Sequence, residues 1–433
     1  MFEVVSRNEE LASLRAFIGE ERRGPAALVL EGEAGMGKST LWGAGLGYAR
    51  AQGFCVLASR PAEAARWLAH VGVNDLFDGV LDDVLPGLSA PRRRALEVAL
   101  LMEEPSGDPV DRRALAEAVR DVLQILSERG PLLIAVDDLQ WLDPSSSSAL
   151  AFALRRLAPN RVLLLLTRPL GDGTQSSAIE QSLGTQLVQQ MPVGPFSVGA
   201  LHRFLYKRLG RSFARQTLLR IHTRSGGNPF FALELARVLD VDVDPLQPLP
   251  VPETLEELVR ARIYGLPAST RAALGFVSAL GAFPESLLKQ ASLSADALGA
   301  AFATQVIERE NGTIRFTHPL LSSVIYQDLG DERRSVHARI AGIVEDPLLR
   351  ARHLALSKET PDAEVAAVLD DAASVAADRG AAAVAAELAE QALRLTPPED
   401  RDELHRRALA AARAHVAARD WTASANGLSQ KRP

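Results

Sequence analysis

The stretch Gly32-Glu33-Ala34-Gly35-Met36-Gly37-Lys38-Ser39-Thr40 satisfies G-x-x-x-x-G-K-[ST] at every position and constrains the fold more than any other part of the chain. It directly follows Ala26-Ala-Leu-Val-Leu-Glu31, an apolar run with the length and character of a strand buried on both faces. Lysine occurs only at positions 38, 207, 289, 358 and 431, so with this composition a random match is expected about 0.003 times per chain. Strand, glycine loop and helix in that order make a phosphate cradle, or P-loop. The glycines let successive N–H groups turn inward around phosphate oxygens. Lys38 supplies positive charge to the β and γ phosphates, and the Ser39 hydroxyl is placed to ligand Mg²⁺. A helix beginning near Gly37 aims its positive end at the same anion.

Such a loop needs a second strand ending in an acid, and Pro131-Leu-Leu-Ile-Ala-Val-Asp137-Asp138 reads as that strand. Asp137 is the acid on the Mg²⁺ side. Asp138, aimed differently by the pleat, is placed to orient or deprotonate an attacking water. Asp143-Pro144 starts a helix, with Asp as N-cap and Pro in the first helical position. The run Arg161-Val-Leu-Leu-Leu-Leu-Thr167-Arg168-Pro169 is a further buried strand whose polar end falls at the same carboxyl edge, where open α/β sheets bind ligands. Arg168 there has two readings, a γ-phosphate contact or a surface ion pair. Residues 54–58 and 187–193 complete about five strands alternating with helices, the pattern of a parallel sheet covered on both faces.

The rest of the composition narrows the classes that remain. A length of 433 residues suits about three domains. With 47% hydrophobic residues, wholesale disorder is excluded. Cys55 is the only cysteine, which excludes a disulfide framework and a cysteine-built zinc site. A net charge of −6 supplies no global attraction to nucleic acid. No run is long enough to span a bilayer, and the start at Glu3 lacks the basic and apolar regions of a signal peptide. The expectation is a cytoplasmic protein with no membrane contact.

The segment Asp137-Asp138-Leu139-Gln140-Trp141-Leu142-Asp143, taken with the P-loop, resembles the signal-transduction ATPases with numerous domains, the STAND branch of the AAA+ superfamily. More narrowly, residues 3–420 are similar to the ATPase part of the large ATP-binding LuxR-family regulators (LAL), which act in transcription regulation. The family's amino-terminal hydrophobic-hydrophobic-Gly-Arg-Glu-x-Glu element is met by Val4-Val5-Ser6-Arg7-Asn8-Glu9-Glu10, with Ser6 in place of glycine and Asn8 in place of the first glutamate. The resemblance implies base contact by Val4 and Val5 and nucleotide contact by Arg7; locally, the same residues read as a helix cap with an exposed arginine. Gly226-Gly227-Asn228-Pro229-Phe230 is similar to the turn of the family's helical lid, where a proline packs near the adenine or ribose, which implies that role for Pro229. Read locally, it is an interhelical turn.

Residues 252–329 carry helical patterns and then a hairpin signal over 306–316, with Asn311-Gly312 at its centre. The resemblance implies a winged-helix module here, followed by Phe316-Thr317-His318-Pro319. It also implies that His318 touches the β-phosphate of bound ADP; the local alternative is a cap on the helix begun at Pro319. Alanine fills 21 of the 60 positions from 361 to 420, across about three helices broken near Gly380 and Thr396-Pro397-Pro398, and this looks like the start of a tetratricopeptide-like (TPR-like) array. The tail 427–433 reads as polar and loose.

The expected fold is therefore an α/β P-loop NTPase of ASCE/AAA+ type (1–195), a helical lid (196–245), a winged-helix-like domain (246–340) and a TPR-like segment (341–433). The implied ligands are ATP or ADP with Mg²⁺, and the implied partners are a nucleotide-dependent homo-oligomer and an unknown signal ligand or protein. Relatives carry further repeats and a carboxyl-terminal helix-turn-helix for which this chain has no room, so no DNA binding by the chain itself is expected. The activity expected is slow Mg²⁺-dependent ATP hydrolysis in a signalling switch. The alternative is a non-catalytic scaffold stabilised by nucleotide.

Overall fold

Along the central strands, successive residues are buried on opposite faces. Leu163 and Leu165 join one apolar cluster, while Val162, Leu164 and Leu166 join the other. This period-2 burial with no polar side is what a parallel sheet covered by helices on both faces requires. The computed structural model describes residues 4–63, 66, 68–104, 109–170, 177–239, 254–310 and 312–427. Its five-stranded sheet comprises β1 (Gly24–Gly32), β2 (Cys55–Ser59), β3 (Leu132–Val136), β4 (Arg161–Pro169) and β5 (Val188–Pro192). The order is β2-β3-β4-β1-β5 and the paired strands are parallel, so all carboxyl ends share one edge. The strand with the acids, β3, is separated from the P-loop strand by β4, the ASCE/AAA+ type of sheet anticipated from the motifs.

Helices Asn8–Gly19 and Lys38–Ala51 cover one face through Leu14, Phe17, Leu41 and Leu46. Helices Arg112–Arg129 and Pro144–Leu154 cover the other through Val119, Leu123 and Leu150. Asp143 caps the second of these as expected, accepting from Ser146 N at 2.8 Å, and it also accepts from His70 N and Gly72 N at 3.1 and 2.9 Å. Its buried carboxylate thus holds the loop after β2 as well as its own helix.

Three further apolar cores follow in the chain. Helices Val198–Leu209, Arg215–Ser225 and Pro229–Val238 share the first, around Leu201, Ile221 and Leu235. The second, around Phe276, Phe283 and Ile314, joins helices Ala268–Leu280 and Pro319–Asp328 to an antiparallel sheet of β6 (Phe283–Pro284), β7 (Ile307–Glu310) and β8 (Thr313–Phe316). The expected hairpin is β7–β8, closed at Glu310↔Thr313, with Gly312 at φ +73° as a primed turn needs. Asn311 lies outside the described residues, and β6 had no signal in the sequence. The third core, Leu348 to Leu395, joins helices Pro347–Ser357, Ala363–Asp378 and Ala382–Arg394, on which Arg401–Gly427 packs. Of the tail expected to be loose, Gly427 closes that last helix, and the remainder lies outside the described residues.

Where the second and third of these cores meet, Tyr326 Oη lies 2.8 Å from His337 Nε2, and His337 Nδ1 lies 2.7 Å from His353 Nδ1. Both histidines are 1% exposed. Burial pushes His337 down to about 4, helped by Arg352 and Arg333, and His353 down to about 3, helped by His337 and Arg352. Both are therefore neutral when folded and take up protons on unfolding, so stability is intact above the ordinary histidine pKa of about 6.5 and is lost as pH falls below it. Acidification from pH 7 to pH 5 should remove about 2 kcal/mol per histidine counted singly. Thermal unfolding followed over this range should show a fall in Tm that is shallower in His353→Asn.

Candidate functional site

The P-loop has no regular hydrogen bonding of its own, so its shape depends on permissive residues and outside partners. Gly35 and Gly37 sit at φ +84° and +90°, where a side chain would be strained. Gly37 precedes the helix Lys38–Ala51, and no side chain caps that helix end. Its first-turn N–H groups are thereby left for an anion, unlike the helix after Asp143. Lys38 is buried, and its Nζ donates to Gly32 O and Glu33 O at 2.8 and 3.0 Å. Burial lowers its pKa, with Asp138 and Asp137 pulling in the opposite direction. Glu33, Ala34 and Ser39 are exposed, Thr40 is half-buried, and Met36 is anchored in the core. Glycines for close approach, an uncapped helix start and a buried lysine suit a polyphosphate.

Three groups from distant parts of the chain hold this loop. Arg7, 6% exposed rather than a surface residue, donates from Nη2 to Met36 O at 2.9 Å and Gly194 O at 2.6 Å, and lies 4.4 Å from the Phe196 ring centre. Asn228 Nδ2 donates to Ala34 O at 2.8 Å, and Phe230 N donates to Gly35 O at 3.3 Å. A Cβ on Gly35 would come within 2.7 Å of Asn228 Oδ1, so glycine is required for the approach as well as for the angle. The Gly226-Gly227-Asn228-Pro229 turn is therefore an interhelical turn that also grips the loop. Its asparagine and phenylalanine make the contacts, while Pro229 is buried at the first helical position.

His318 follows. Its ring stacks on Phe230 with centres 3.8 Å apart and planes 6° apart. Its Nδ1 accepts from Leu320 N at 3.1 Å, which is the cap expected of it. Burial, with Lys38 nearby, pushes its pKa down to about 4. A neutral imidazole with Nδ1 accepting carries its proton on Nε2, so the cap leaves a neutral donor on the other nitrogen. Capping and ligand contact, two separate readings of the sequence, are compatible in one side chain.

At the carboxyl edge, Asp137 is buried, and its Oδ1 accepts from Thr167 Oγ1 at 2.7 Å. The same hydroxyl accepts from Asp138 N at 2.7 Å, fixing both acids against β4. Asp138 adopts φ +55°, uncommon for a non-glycine residue, and its Oδ1 accepts from Gln140 Nε2 at 3.1 Å. Burial and the neighbouring Asp137 raise its pKa, while Gln140, Lys38 and Arg60 oppose the rise. The chemistry available is a divalent-cation ligand beside a proton acceptor of enhanced basicity.

Of the two readings of Arg168, the structure realises the ion pair. Glu31 and Arg168 are register partners on β1 and β4, and Arg168 Nε lies 2.7 Å from Glu31 Oε1, with Glu180 Oε2 3.1 Å from Nη1. The site is half-buried rather than on the surface, and the guanidinium is committed to two carboxylates. At the amino terminus Val4 packs on the sheet core and Val5 is half-buried. Ser6, standing where the motif has glycine, adopts φ +58°, so the substitution keeps the backbone geometry at the cost of strain.

Sequence reasoning missed Thr167, Asn228 and Phe230 as site residues, although each sat inside a quoted segment. It also missed Arg60, directly after β2. Arg60 Nε lies 3.5 Å from Asp137 Oδ2, while Nη1 lies 2.7 Å from Glu310 and 3.7 Å from Glu308 on β7. An arginine after a short apolar strand carries no local signal of these partners.

A family model described as the AAA ATPase domain matches residues 3–166. Among solved structures, the fold is similar to that of a Signal Transduction ATPase with Numerous Domains (STAND) protein with a tetratricopeptide repeat sensor from Pyrococcus horikoshii. The TM-score is 0.53 at 11% identity, over 100% of this chain and 69% of that one. The Walker-type ATPase of Pyrococcus abyssi matches at a TM-score of 0.37 and 16% identity, over 74% of this chain and 96% of that one. Cdc6p from Pyrobaculum aerophilum matches at 0.38 and 14%, over 77% and 96%. No curated protein sequence matches the chain. Residues 3–166 thus match the AAA ATPase domain model, and the chain shares its overall fold with that Pyrococcus horikoshii protein. Among the described residues, no helix is long and apolar enough to cross a membrane.

Asn228 caps its helix through Oδ1 and holds Ala34 O through Nδ2, two functions that substitutions separate. Asn228→Ala should cost about 1 to 2 kcal/mol in urea unfolding. Asn228→Ser restores the cap without the reach, so it should recover most of that stability while still weakening nucleotide binding.

Proposed function

We propose that the chain is an ATP-binding signalling switch of the STAND type, related to the ATPase part of LuxR-family LAL regulators. It is organised as a P-loop NTPase (1–195), a helical lid (196–245), a winged-helix-like unit (246–340) and a TPR-like helical segment (341–433). One observation carries this reading: the phosphate loop, the lid turn and the third unit converge on one point. Ala34 and Gly35 are held by Asn228 and Phe230, and His318 stacks on Phe230 beside Lys38. A ligand in the P-loop is then sensed by lid and hairpin unit together, which is the requirement for a nucleotide-controlled conformation.

In this reading Lys38 and the N–H groups of residues 33–40 hold the β and γ phosphates, and Ser39 and Asp137 hold Mg²⁺. Bound nucleotide supplies the phosphoanhydride whose terminal group passes to water. Asp138 accepts the proton of that water, with its carboxylate oriented by Gln140 and its backbone by Thr167. Arg7 braces the loop backbone at Met36, Val5 and Pro229 border the base and sugar, and His318 Nε2–H is the donor for the β-phosphate of ADP. ADP then favours the closed arrangement, and exchange for ATP favours opening and self-assembly in the cytoplasm, with the helical segment receiving the signal from a ligand or protein.

Lys38→Ala should lower ATP affinity by at least tenfold, because charge-assisted phosphate contacts are worth about 1.5 to 3 kcal/mol each. A dissociation constant within about twofold of wild type would remove the P-loop reading. Asp138→Asn should bind ATP normally and lose turnover; equal loss of both would exchange the roles of the two acids. His318→Ala should raise the ADP/ATP dissociation-constant ratio by roughly tenfold or more in competitive titration, since only the ADP state uses the Nε2 donor. If that ratio is unchanged and thermal stability falls equally with either nucleotide, His318 is a helix cap alone.

A further inference from the structure

Ser59, the last residue of β2, pairs with Val136 next to Asp137, and Arg60 follows it at the carboxyl edge. The Arg60 side chain bridges two parts of the chain 250 residues apart in sequence. Nε faces Asp137 Oδ2 at 3.5 Å, and Nη1 is 2.7 Å from Glu310 Oε2 and 3.7 Å from Glu308 Oε1. The Arg60 carbonyl accepts in turn from Arg315 Nη1 at 2.6 Å. Glu308 and Glu310 are alternate residues of β7 and so share a face, and Glu308 is the cross-strand partner of Arg315. The residue directly after β2 therefore holds both strands of the hairpin, by its side chain and by its backbone. Burial works against the charge of Arg60, but Asp137, Glu310 and Glu308 outweigh it and hold its pKa above the ordinary range.

The position of Arg60 at Asp137 sets up a competition. Asp137 Oδ1 is occupied by Thr167, which leaves Oδ2 as the oxygen for a cation, and Oδ2 is the oxygen that Arg60 faces. The geometry points to Arg60 as an ion-pair latch that closes the β7–β8 hairpin onto the acid strand and competes with a divalent cation for Asp137. This rests on the reading of Asp137 as a cation ligand and adds to it a coupling between cation loading and hairpin docking. With Asp137 held by a cation, the Arg60 side chain loses one of its three carboxylate partners and is repelled by the added positive charge, so its contact with Glu310 and Glu308 weakens. Linkage makes the effect reciprocal: a docked hairpin keeps Arg60 in place and weakens cation binding, and cation binding loosens the hairpin. Lys38 is held by Gly32 O and Glu33 O and makes no hairpin contact, so it does not transmit this effect.

The test uses the full chain in two arms. In the first, without nucleotide or divalent cation, amide hydrogen exchange is followed over 307–310 and 313–316. Arg60→Gln should raise exchange there by about tenfold, Glu308→Gln/Glu310→Gln by at least as much because it also removes the carboxylates that face Arg315, and the triple variant should exchange no faster than the double glutamate variant. Exchange at wild-type rates, or fully additive effects, would overturn the latch. In the second arm, Mg²⁺ is titrated calorimetrically into ADP-loaded protein. Arg60→Gln should bind Mg²⁺ about three- to tenfold more tightly than wild type, and Mg²⁺ should speed hairpin exchange in wild type but not in Arg60→Gln. Unchanged Mg²⁺ affinity would overturn the competition. A wild-type protein that takes neither ADP nor Mg²⁺ would remove both the switch reading and the competition, whereas the first arm, which uses neither ligand, would still decide the latch.

Discussion

The phosphate loop is a segment whose own backbone makes almost no regular hydrogen bonds, and the rest of the molecule is arranged around holding it. Positive φ at Gly35 and Gly37 lets it turn, and the same freedom would let it collapse without support. Support comes from Arg7 on Met36 O, Asn228 on Ala34 O and Phe230 N on Gly35 O. Each of these donors belongs to a different part of the chain from the loop itself. The loop is therefore held only when the amino-terminal segment and the start of the helix Pro229–Val238 are both docked on it. That dependence is the physical basis for expecting a ligand in the loop to influence domain arrangement.

Charge at the carboxyl edge of the sheet presents the second problem. Asp137 is buried and Asp138 beside it is half-buried, and burial together with the neighbouring Asp137 raises the pKa of Asp138. Lys38 and Arg60 offset that rise, while the Thr167 hydroxyl donates to the Asp137 carboxylate and accepts from the backbone N–H of Asp138. The same need for compensation explains Arg168: Glu31 and Glu180 are half-buried or buried near the end of β1 and β4, and one guanidinium satisfies both. Basic residues at this edge thus neutralise acids brought in from several elements, and only the three-dimensional arrangement shows which acids each one meets.

Some features were legible because they are local. The five strands fall where apolar runs stood between turn signals, with ends shifted by a residue or two. Asp143 caps its helix, and β7 and β8 pair up to Glu310↔Thr313. Ser6 shows how a motif can be met with altered chemistry: the backbone keeps φ +58° although the residue is not glycine. Other features were ambiguous locally and resolved by packing. An arginine at the end of β4 reads equally well as a ligand contact or an ion pair, because its choice depends on Glu31 one strand away and Glu180 on a following helix. For His318 the structure shows the cap, the local reading, and leaves its other nitrogen as a donor.

The sequence alone determined the strand–loop–helix unit, the acid-bearing strand, the covered parallel sheet and the helical character of the carboxyl-terminal part. Each of these follows from the spacing of apolar, glycine and charged residues over about ten positions, the range within which backbone preference and burial pattern act together. Tertiary structure alone decided which side chains meet: Arg60 with Glu310 across 250 residues, Asn228 with Ala34 across 194, and Arg7 with Gly194 across 187. Contacts of that kind arise when separate cores dock and desolvate their facing polar groups. Those groups then take whichever partners the packing brings within hydrogen-bond reach, and no local pattern encodes that outcome.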